Sequence, residues 1–186
     1  MEIKLTLNGK IVTDSVDADM TLYQFLRRHK CWSVKCGCET TNCGLCTVMF
    51  DDKPMLSCSI PVGRANGHKI ETLEGLEKEA SEFIGYFAAQ GADQCGFCNP
   101  GYVVNIVAML RENPDPTDEE IKYYLAGNLC RCTGFQSQLR ALRNYLNDKK
   151  GLAIDRSAGV YGEDVLNKWE SRVADPGTIA RKGALS

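Results

Sequence analysis

The cysteines of this 186-residue chain are grouped, and the grouping constrains the fold more than any other feature. A first set follows the pattern C-x4-C-x2-C and is completed by a fourth cysteine further along. A second set combines a C-x2-C pair with a later C-x-C pair. The first cysteine set is Cys38, Cys43, Cys46 and Cys58, and the second cysteine set is Cys95, Cys98, Cys130 and Cys132. Because thiolates are soft anionic metal ligands, two sets of four predict two metal centres.

Three kinds of site are compatible with this spacing alone. The first set begins like the plant-type ferredoxin run, which winds a tight loop around a 2Fe-2S cluster. Gly37 and Gly44 would let the backbone amides of such a loop turn toward the sulfur atoms. Zinc also takes four cysteines, usually in two close pairs. Disulfides are the third alternative, although secreted disulfide scaffolds are normally shorter and the first residues do not follow a signal-peptide pattern.

Four segments of the chain resemble the iron-sulfur subunit of the molybdenum hydroxylases, the family of xanthine dehydrogenase, aldehyde oxidoreductase and carbon monoxide dehydrogenase. They are V-K-C-G-C (34–38), C-G-L-C-T-V (43–48), Q-C-G-F-C-N-P-G (94–101) and G-N-L-C-R-C-T-G-F-Q (127–136). The match runs in order from about Ile3 to Tyr145, and the C-R-C-T-G run is its most specific piece. Three residues depart from the family pattern: Thr41 replaces a usual glycine, Asn99 a usual threonine and Phe135 a usual tyrosine. The first departure predicts that the loop of the first set wraps differently.

The resemblance implies a function in electron transfer. Each cysteine set would hold one 2Fe-2S cluster, and a large partner subunit would bind the molybdenum-pterin cofactor. Electrons would pass from molybdenum to the second set, then to the first set, and on to FAD on a medium subunit or to another acceptor. The resemblance also implies that Gln94 approaches the pterin and that Cys132 lies on the same side.

Composition narrows the classes of function further. The 22 Lys and Arg residues nearly balance the 24 Asp and Glu residues, so the chain lacks the basic character of a nucleic-acid-binding protein. It has no apolar run near the roughly 20 residues that cross a bilayer, and thiolate ligands indicate a reducing, cytoplasmic compartment. The two histidines, His29 and His68, lie outside every motif and are interpreted as surface or structural residues. We therefore predict no catalytic residue in this chain.

Residues 1–76 read as a β-grasp, ferredoxin-like domain, the first part of an α+β fold. Alternating apolar residues over 2–16 surround Asn8-Gly9, a strong hairpin signal. Thr21 and Gln24 form a capping box that predicts a short helix. The segments 46–50 and 55–60 read as a second strand pair, which would place Cys58 on a strand beside the loop that it completes.

Residues 77–150 read as a helical 2Fe-2S domain built as a four-helix bundle. The pattern predicts helices over 81–90, from about Pro100 to 110, after the capping box that starts at Thr117, and over 136–148. The second of these helices is apolar nearly all round, which is typical of a buried helix.

Three parts of the chain carry secondary hypotheses. Cys31 and Cys36 lie outside both sets and are interpreted as small hydrophobic residues with inert thiols, with ligand swapping by Cys36 as an alternative. Residues 151–186 extend beyond the family pattern and carry an apolar stripe that predicts a partner-docking arm, with disorder as the alternative. For the whole chain, the alternatives to a molybdenum hydroxylase subunit are a free-standing two-cluster electron carrier and a zinc-stabilised interaction module.

Overall fold

The structure is a computed structural model that describes residues 1–154. Within this range five strands form one mixed sheet: β1 (Glu2–Leu7), β2 (Lys10–Ser15), β3 (Thr47–Phe50), β4 (Lys53–Leu56) and β5 (Lys69–Glu71). The helices of the range are α1 (Leu22–Arg28), α2 (Glu77–Ala89), α3 (Asn99–Glu112), α4 (Asp118–Leu125) and α5 (Gln136–Lys149). None of them is both long enough and apolar enough to cross a membrane. The predicted mixture of sheet and helices is thus confirmed.

The sheet has the strand order β2-β1-β5-β3-β4. The short strand β5 pairs parallel with β1 and antiparallel with β3, so three residues join the two hairpins into one sheet. In β1 the side chains alternate between buried and more exposed, and Ile3, Leu5 and Leu7 face the core. This alternation follows from the two-residue period of a strand.

Local chemistry explains the first two connections. Asn8 and Gly9 both have positive φ, +48° and +78°, which is the requirement of a tight two-residue hairpin turn. At the start of α1, the Thr21 hydroxyl accepts from the Gln24 amide, and the Gln24 side chain accepts from the Thr21 amide. Phe25 lies on the buried face of that helix and is fully buried. The predicted hairpin and capping box are confirmed.

The prediction for Cys58 is wrong. The second hairpin spans Thr47–Leu56 with its turn at 51–52, and Cys58 follows it in a 3-10 turn over Ser57–Ser59. Ser57 fixes this turn, because its amide and its hydroxyl both donate to the carbonyl oxygen of Cys46, at 3.1 Å and 2.7 Å. A turn bonded in this way places Cys58 beside Cys46 without continuing the strand.

The described chain divides into two compact units, each with its own contacts. Unit 1 comprises residues 1–80 and 96–130, and unit 2 comprises 81–95 together with the chain from Arg131 onward. Helices α3 and α4 are grouped with the sheet in unit 1, whereas the sequence prediction assigned them to the helical domain. The predicted domain limits at residues 76 and 150 stay predictions.

In unit 1, α3 packs on the sheet with most of its surface buried. Its last turn carries Arg111, which donates to Glu79 at 2.8 Å through Nε and to Asp52 at 3.1 Å through Nη1. The bidentate pairing with Glu79 lowers the pKa of that carboxyl. Since Asp52 lies at the β3–β4 turn, this guanidinium ties the end of α3 to that hairpin.

In unit 2, aromatic side chains join α2 to α5. The Phe83 and Tyr145 rings meet edge to face with centroids 6.0 Å apart, and Tyr86 meets Tyr145 at 5.6 Å. Lys149 pairs with Glu82 at 2.5 Å. α5 begins after Phe135, which has a left-handed φ of +65°. These contacts hold the segment that follows Cys132 against the helix that precedes Cys95.

Candidate metal centres

The four members of the first set lie in unit 1, on the chain between α1 and the end of the second hairpin. Cys38 and Cys43 belong to the long loop before β3, and Cys46 directly precedes that strand. Cys43 and Cys46 are buried, whereas Cys38 and Cys58 are partly exposed. The structure therefore brings the loop cysteines and the remote fourth cysteine to one end of β3.

Backbone amides favour an anionic sulfur at Cys38. Hydrogen bonds from the amides of Asn42 and Thr40, followed by one from the Cys43 thiol, lower the pKa of Cys38 to about 6. Burial raises the pKa of the Cys43 thiol. The environment of Cys38 thus favours its thiolate form. Cys43 favours its protonated form and would lose the proton when a metal cation binds.

Cys46 and Cys58 form the second pair of neighbours. Burial and then the hydrogen bond with the Cys46 side chain raise the pKa of Cys58 to about 12. A thiol with such a pKa is neutral at physiological pH, and a bound metal would deprotonate it. Two pairs of adjacent thiols at one end of a strand match a binuclear cluster, because each of its metals needs two protein ligands.

The loop of the first set contains a strained residue. Thr41 has φ +57°, in the left-handed region that a β-branched side chain seldom adopts. This is the position where the family pattern has glycine, so the chain keeps a backbone conformation that glycine favours. The predicted difference in the path of this loop stays a prediction.

Replacing Thr41 by glycine is expected to raise the free energy of unfolding by about 1 kcal/mol, because the left-handed conformation costs an L-residue about that much. Urea unfolding of the holoprotein measures the change. Thr40 is the matched control, since its φ is not positive and its replacement by glycine should lower stability. Equal effects at both positions would contradict strain at Thr41.

Two members of the second set, Cys98 and Cys130, lie in unit 1. Cys98 is the N-cap residue of α3 and is buried, and Cys130 is partly exposed. Burial raises the pKa of the Tyr102 hydroxyl, and negative charge on Cys98 and Cys130 raises it further. Both cysteines therefore lie near the same buried hydroxyl.

The other two members, Cys95 and Cys132, lie in unit 2 and are exposed. Their Sγ atoms are 3.7 Å apart. Two thiolates on one tetrahedral metal with metal–sulfur bonds of about 2.3 Å would lie at about this separation. The Nε2 of Gln94 donates to the carbonyl oxygen of Cys132 at 3.2 Å. The two residues predicted to lie on the side of the pterin are therefore direct neighbours. Their predicted roles stay predictions.

The structure contains no disulfide bond among the described residues. In the same part of the chain, no three cysteine, histidine or carboxylate side chains converge on the position of a single metal ion. The thiols occur in neighbouring pairs, at Cys38 with Cys43, at Cys46 with Cys58 and at Cys95 with Cys132. The residues present thus fit clusters in which each iron takes two thiolates.

Within unit 1, the loop of the first set contacts the segments that carry Cys98 and Cys130. Cys43, Leu45 and Cys98 form one buried apolar group, with Cys38 and Cys130 packed against it. A Cβ atom on Gly101 would lie 2.4 Å from the carbonyl oxygen of Gly44. Sequence reasoning missed this close approach, although the glycines stand in the segments that carry the resemblance.

The two cysteines outside the sets and the two histidines were also interpreted from the sequence. Cys31 is buried in the core under the sheet, which confirms the interpretation as a small hydrophobic residue, and burial raises the pKa of its thiol. Cys36 is exposed and its Sγ donates to the carbonyl oxygen of Cys38 at 2.7 Å, so the interpretation as a small hydrophobic residue is wrong for it, while the inert thiol and the ligand swapping stay predictions. His29 pairs with Asp14 at 2.8 Å and His68 pairs with a second aspartate. Both histidines make structural contacts.

Comparison with known proteins decides between the alternatives. Residues 5–63 match the 2Fe-2S iron-sulfur cluster binding domain family, and residues 72–143 match the 2Fe-2S binding domain family. The nicotinate dehydrogenase small FeS subunit of Eubacterium barkeri is 41% identical over 136 residues, which cover 72% of this chain and 87% of that protein. The chain is an iron-sulfur small subunit of the molybdenum hydroxylase family. As a member of this family, the subunit carries two iron-sulfur binding domains.

Other relatives of the small subunit extend the comparison. The nicotine 6-hydroxylase small subunit of Paenarthrobacter nicotinovorans is 40% identical over 76% of this chain and 87% of that protein. Aldehyde oxidase 2 of Rattus norvegicus is 33% identical over 81% of this chain, which corresponds to 12% of that longer protein. The solved structure of quinoline 2-oxidoreductase from Pseudomonas putida 86 matches with a TM-score of 0.74 and 35% identity over 82% of this chain and 98% of that chain.

Proposed function

We propose that this chain is the electron-transfer subunit of a molybdenum hydroxylase complex. Electrons pass from a molybdenum-pterin site on a large partner subunit through the second set and then the first set, to FAD on a medium subunit or to another acceptor. When bound, each 2Fe-2S cluster would accept and donate one electron. The membership of the family, together with eight cysteines of which six form neighbouring pairs, carries the proposal.

The ligand assignment follows the two sets. Cys38, Cys43, Cys46 and Cys58 hold one 2Fe-2S cluster, and Cys95, Cys98, Cys130 and Cys132 hold the other. Amide hydrogen bonds at Cys38 stabilise its thiolate and would raise the reduction potential of a cluster bound there. The chain itself transfers electrons, and the large subunit performs the substrate chemistry. No residue of this chain is assigned a catalytic role.

Exposed residues near the second set support docking of the large subunit there. Gln94, Cys95 and Cys132 are exposed in unit 2, and we assign Gln94 and Cys132 to contact with the pterin. In unit 1, Phe97 and Leu129 are apolar but about half exposed, at 45% and 52%. Exposed apolar side chains beside the predicted ligands Cys98 and Cys130 suit a protein partner.

The finer fold assignment is also a proposal. Residues 1–76 form the β-grasp ferredoxin-like domain, and residues 77–150 form a four-helix-bundle 2Fe-2S domain. The order of the two family matches supports this division. Residues 151–186 are assigned as a partner-docking arm, and the part from residue 155 lies outside the described residues. The proposed thiolate ligands favour a reducing compartment, and we therefore assign the complex to the cytoplasm.

The free-standing carrier is not favoured, because relatives that match over most of their length are named as small subunits. Those names refer to nicotinate and nicotine, whereas the matched structure is a quinoline oxidoreductase. Small subunits that align well therefore serve different substrates, which supports substrate recognition by the large subunit.

Anaerobic isolation of the native complex tests the proposal. We expect about four irons per small subunit, two distinct electron paramagnetic resonance signals after full reduction, and molybdopterin in the same complex. A colourless protein with zinc and no iron would refute iron-sulfur ligation. A stable brown monomer without molybdenum under conditions that preserve protein complexes would instead indicate the free-standing carrier.

A further inference from the structure

Asn128 is a buried asparagine in the segment between α4 and Cys130. Only 2% of its surface is exposed, and its backbone amide donates to the carbonyl oxygen of Leu125 at 3.0 Å. A buried side-chain amide without hydrogen-bond partners costs about 1–3 kcal/mol. The partners of this side chain therefore show what it contributes to the fold.

The side chain of Asn128 connects α3 to the loop of the first set. Its Nδ2 donates to the carbonyl oxygen of Gly44 at 3.3 Å. Its Oδ1 accepts from the Nδ2 of Asn105, on α3, at 2.5 Å. Gly44 directly follows Cys43, and α3 begins directly after Cys98. One amide thus links three segments that carry predicted ligands, including its own.

Backbone contacts surround this link. The amide of Leu129 donates to the carbonyl oxygen of Cys43 at 2.9 Å. A Cβ atom on Gly44 would lie 2.5 Å from the carbonyl oxygen of Gly127 and 2.8 Å from the Nδ2 of Asn128. The two backbones are therefore in direct contact. Any shift between them has to break the amide hydrogen bonds.

We propose that Asn128 is a positioning residue that fixes the distance between the segments ligating the two clusters. Apolar contacts are non-directional, whereas hydrogen bonds prescribe distances and angles. The paired amides of Asn128 and Asn105 therefore hold the Gly44 carbonyl in one place, while the Leu129 amide holds that of Cys43. This inference rests on the proposed function, because it requires a cluster at each cysteine set.

The test is Asn128→Leu in the holoprotein, because leucine has a similar branched shape and forms no side-chain hydrogen bond. We expect the iron content to be retained. The magnetic interaction between the two reduced clusters should weaken, seen as loss of signal splitting and slower spin relaxation in electron paramagnetic resonance. This interaction falls with the cube of distance, so a small displacement is visible. Asn105→Ala should give a smaller loss, since the bond to Gly44 remains.

Asn8→Ala is the matched control. The Asn8 side chain also forms two hydrogen bonds, accepting from the amide of Thr72 at 2.8 Å and donating to its hydroxyl at 3.0 Å. Asn8 belongs to the β1–β2 turn and to neither cysteine set. The control should lower the midpoint of thermal unfolding and leave the magnetic interaction unchanged.

Two results would overturn the inference: an unchanged interaction in iron-replete Asn128→Leu, or an equal weakening in Asn8→Ala. If Asn128→Leu does not retain iron, Asn105→Ala decides, and an unchanged interaction in that variant counts against the inference. Failure of the two-cluster assignment is recognised separately, because the wild-type protein would then lack two reduced cluster signals. Failure of the proposed function alone would leave both signals and remove molybdopterin from the isolated complex.

Discussion

Replacement of Gly101 by alanine should strongly impair folding of the loop of the first set. The new Cβ would lie 2.4 Å from the carbonyl oxygen of Gly44 and 3.0 Å from the Cα of Leu45. Both are backbone atoms that cannot rotate away, so the helix and the loop have to separate. Overpacking of this kind costs about 3 kcal/mol. That is a large part of the stability of a small domain, which is about 5–15 kcal/mol.

The measurement is the free energy of unfolding in urea together with the iron content of the purified protein. Because the displaced loop carries Cys43 and Cys46, part of the population should lose the first cluster. Gly127→Ala is the matched control: a Cβ there meets no atom within 4 Å, and its φ is not positive. Loss of less than about 1 kcal/mol in Gly101→Ala would show that the helix and the loop can separate at little cost.

Elements specified by local chemistry were predictable from the sequence. The Asn8-Gly9 turn and the capping boxes at Thr21 and Thr117 depend on residues within three positions of each other, and the structure contains all three. The start of α2 was less predictable. It begins at Glu77 instead of near Ser81, because its first turn is polar and lacks the apolar period.

Elements that depend on distant partners were missed. Strand β5 has only three residues, and its pairing with β1 joins positions more than 60 residues apart. Cys58 lies in a turn because Ser57 bonds to the carbonyl of Cys46, and no pattern marks a serine for that purpose. A three-residue strand is too short to show an alternation of apolar residues, and a single side-chain hydrogen bond produces no sequence pattern.

In the candidate sites, too, local features were predictable from the sequence and contacts between distant residues were not. The short spacings C-x4-C-x2-C, C-x2-C and C-x-C are local properties of the chain, and the two sets predicted from them stay predictions. The roles of Asn128 and Asn105 were not recognised, although Asn128 stands in one of the segments that resemble the family. A lone asparagine is usually exposed, and only its 2% exposure and its partners distinguish it.

Replacement of Cys95 by serine should remove one cluster and leave the other in place. We expect the iron content to fall from about four to about two per chain, and one of the two paramagnetic signals to disappear. The Sγ of Cys95 lies 3.7 Å from that of Cys132, so the change removes half of a thiol pair, and a serine hydroxyl is a harder, less acidic ligand. Cys132→Ser should give the same spectrum.

Two further variants make this assignment testable in both directions. Cys46→Ser should remove the signal that Cys95→Ser retains, because Cys46 belongs to the other set. Cys36→Ser is the matched control: its exposed thiol donates a hydrogen bond to the Cys38 carbonyl, and full iron content with both signals is expected.

In the intact complex with substrate, Cys95→Ser should keep molybdenum but stop reduction of the acceptor, because the proposed electron path would lack its first cluster. If Cys95→Ser and Cys46→Ser removed the same signal, the division of the eight cysteines into two sets of four would be wrong.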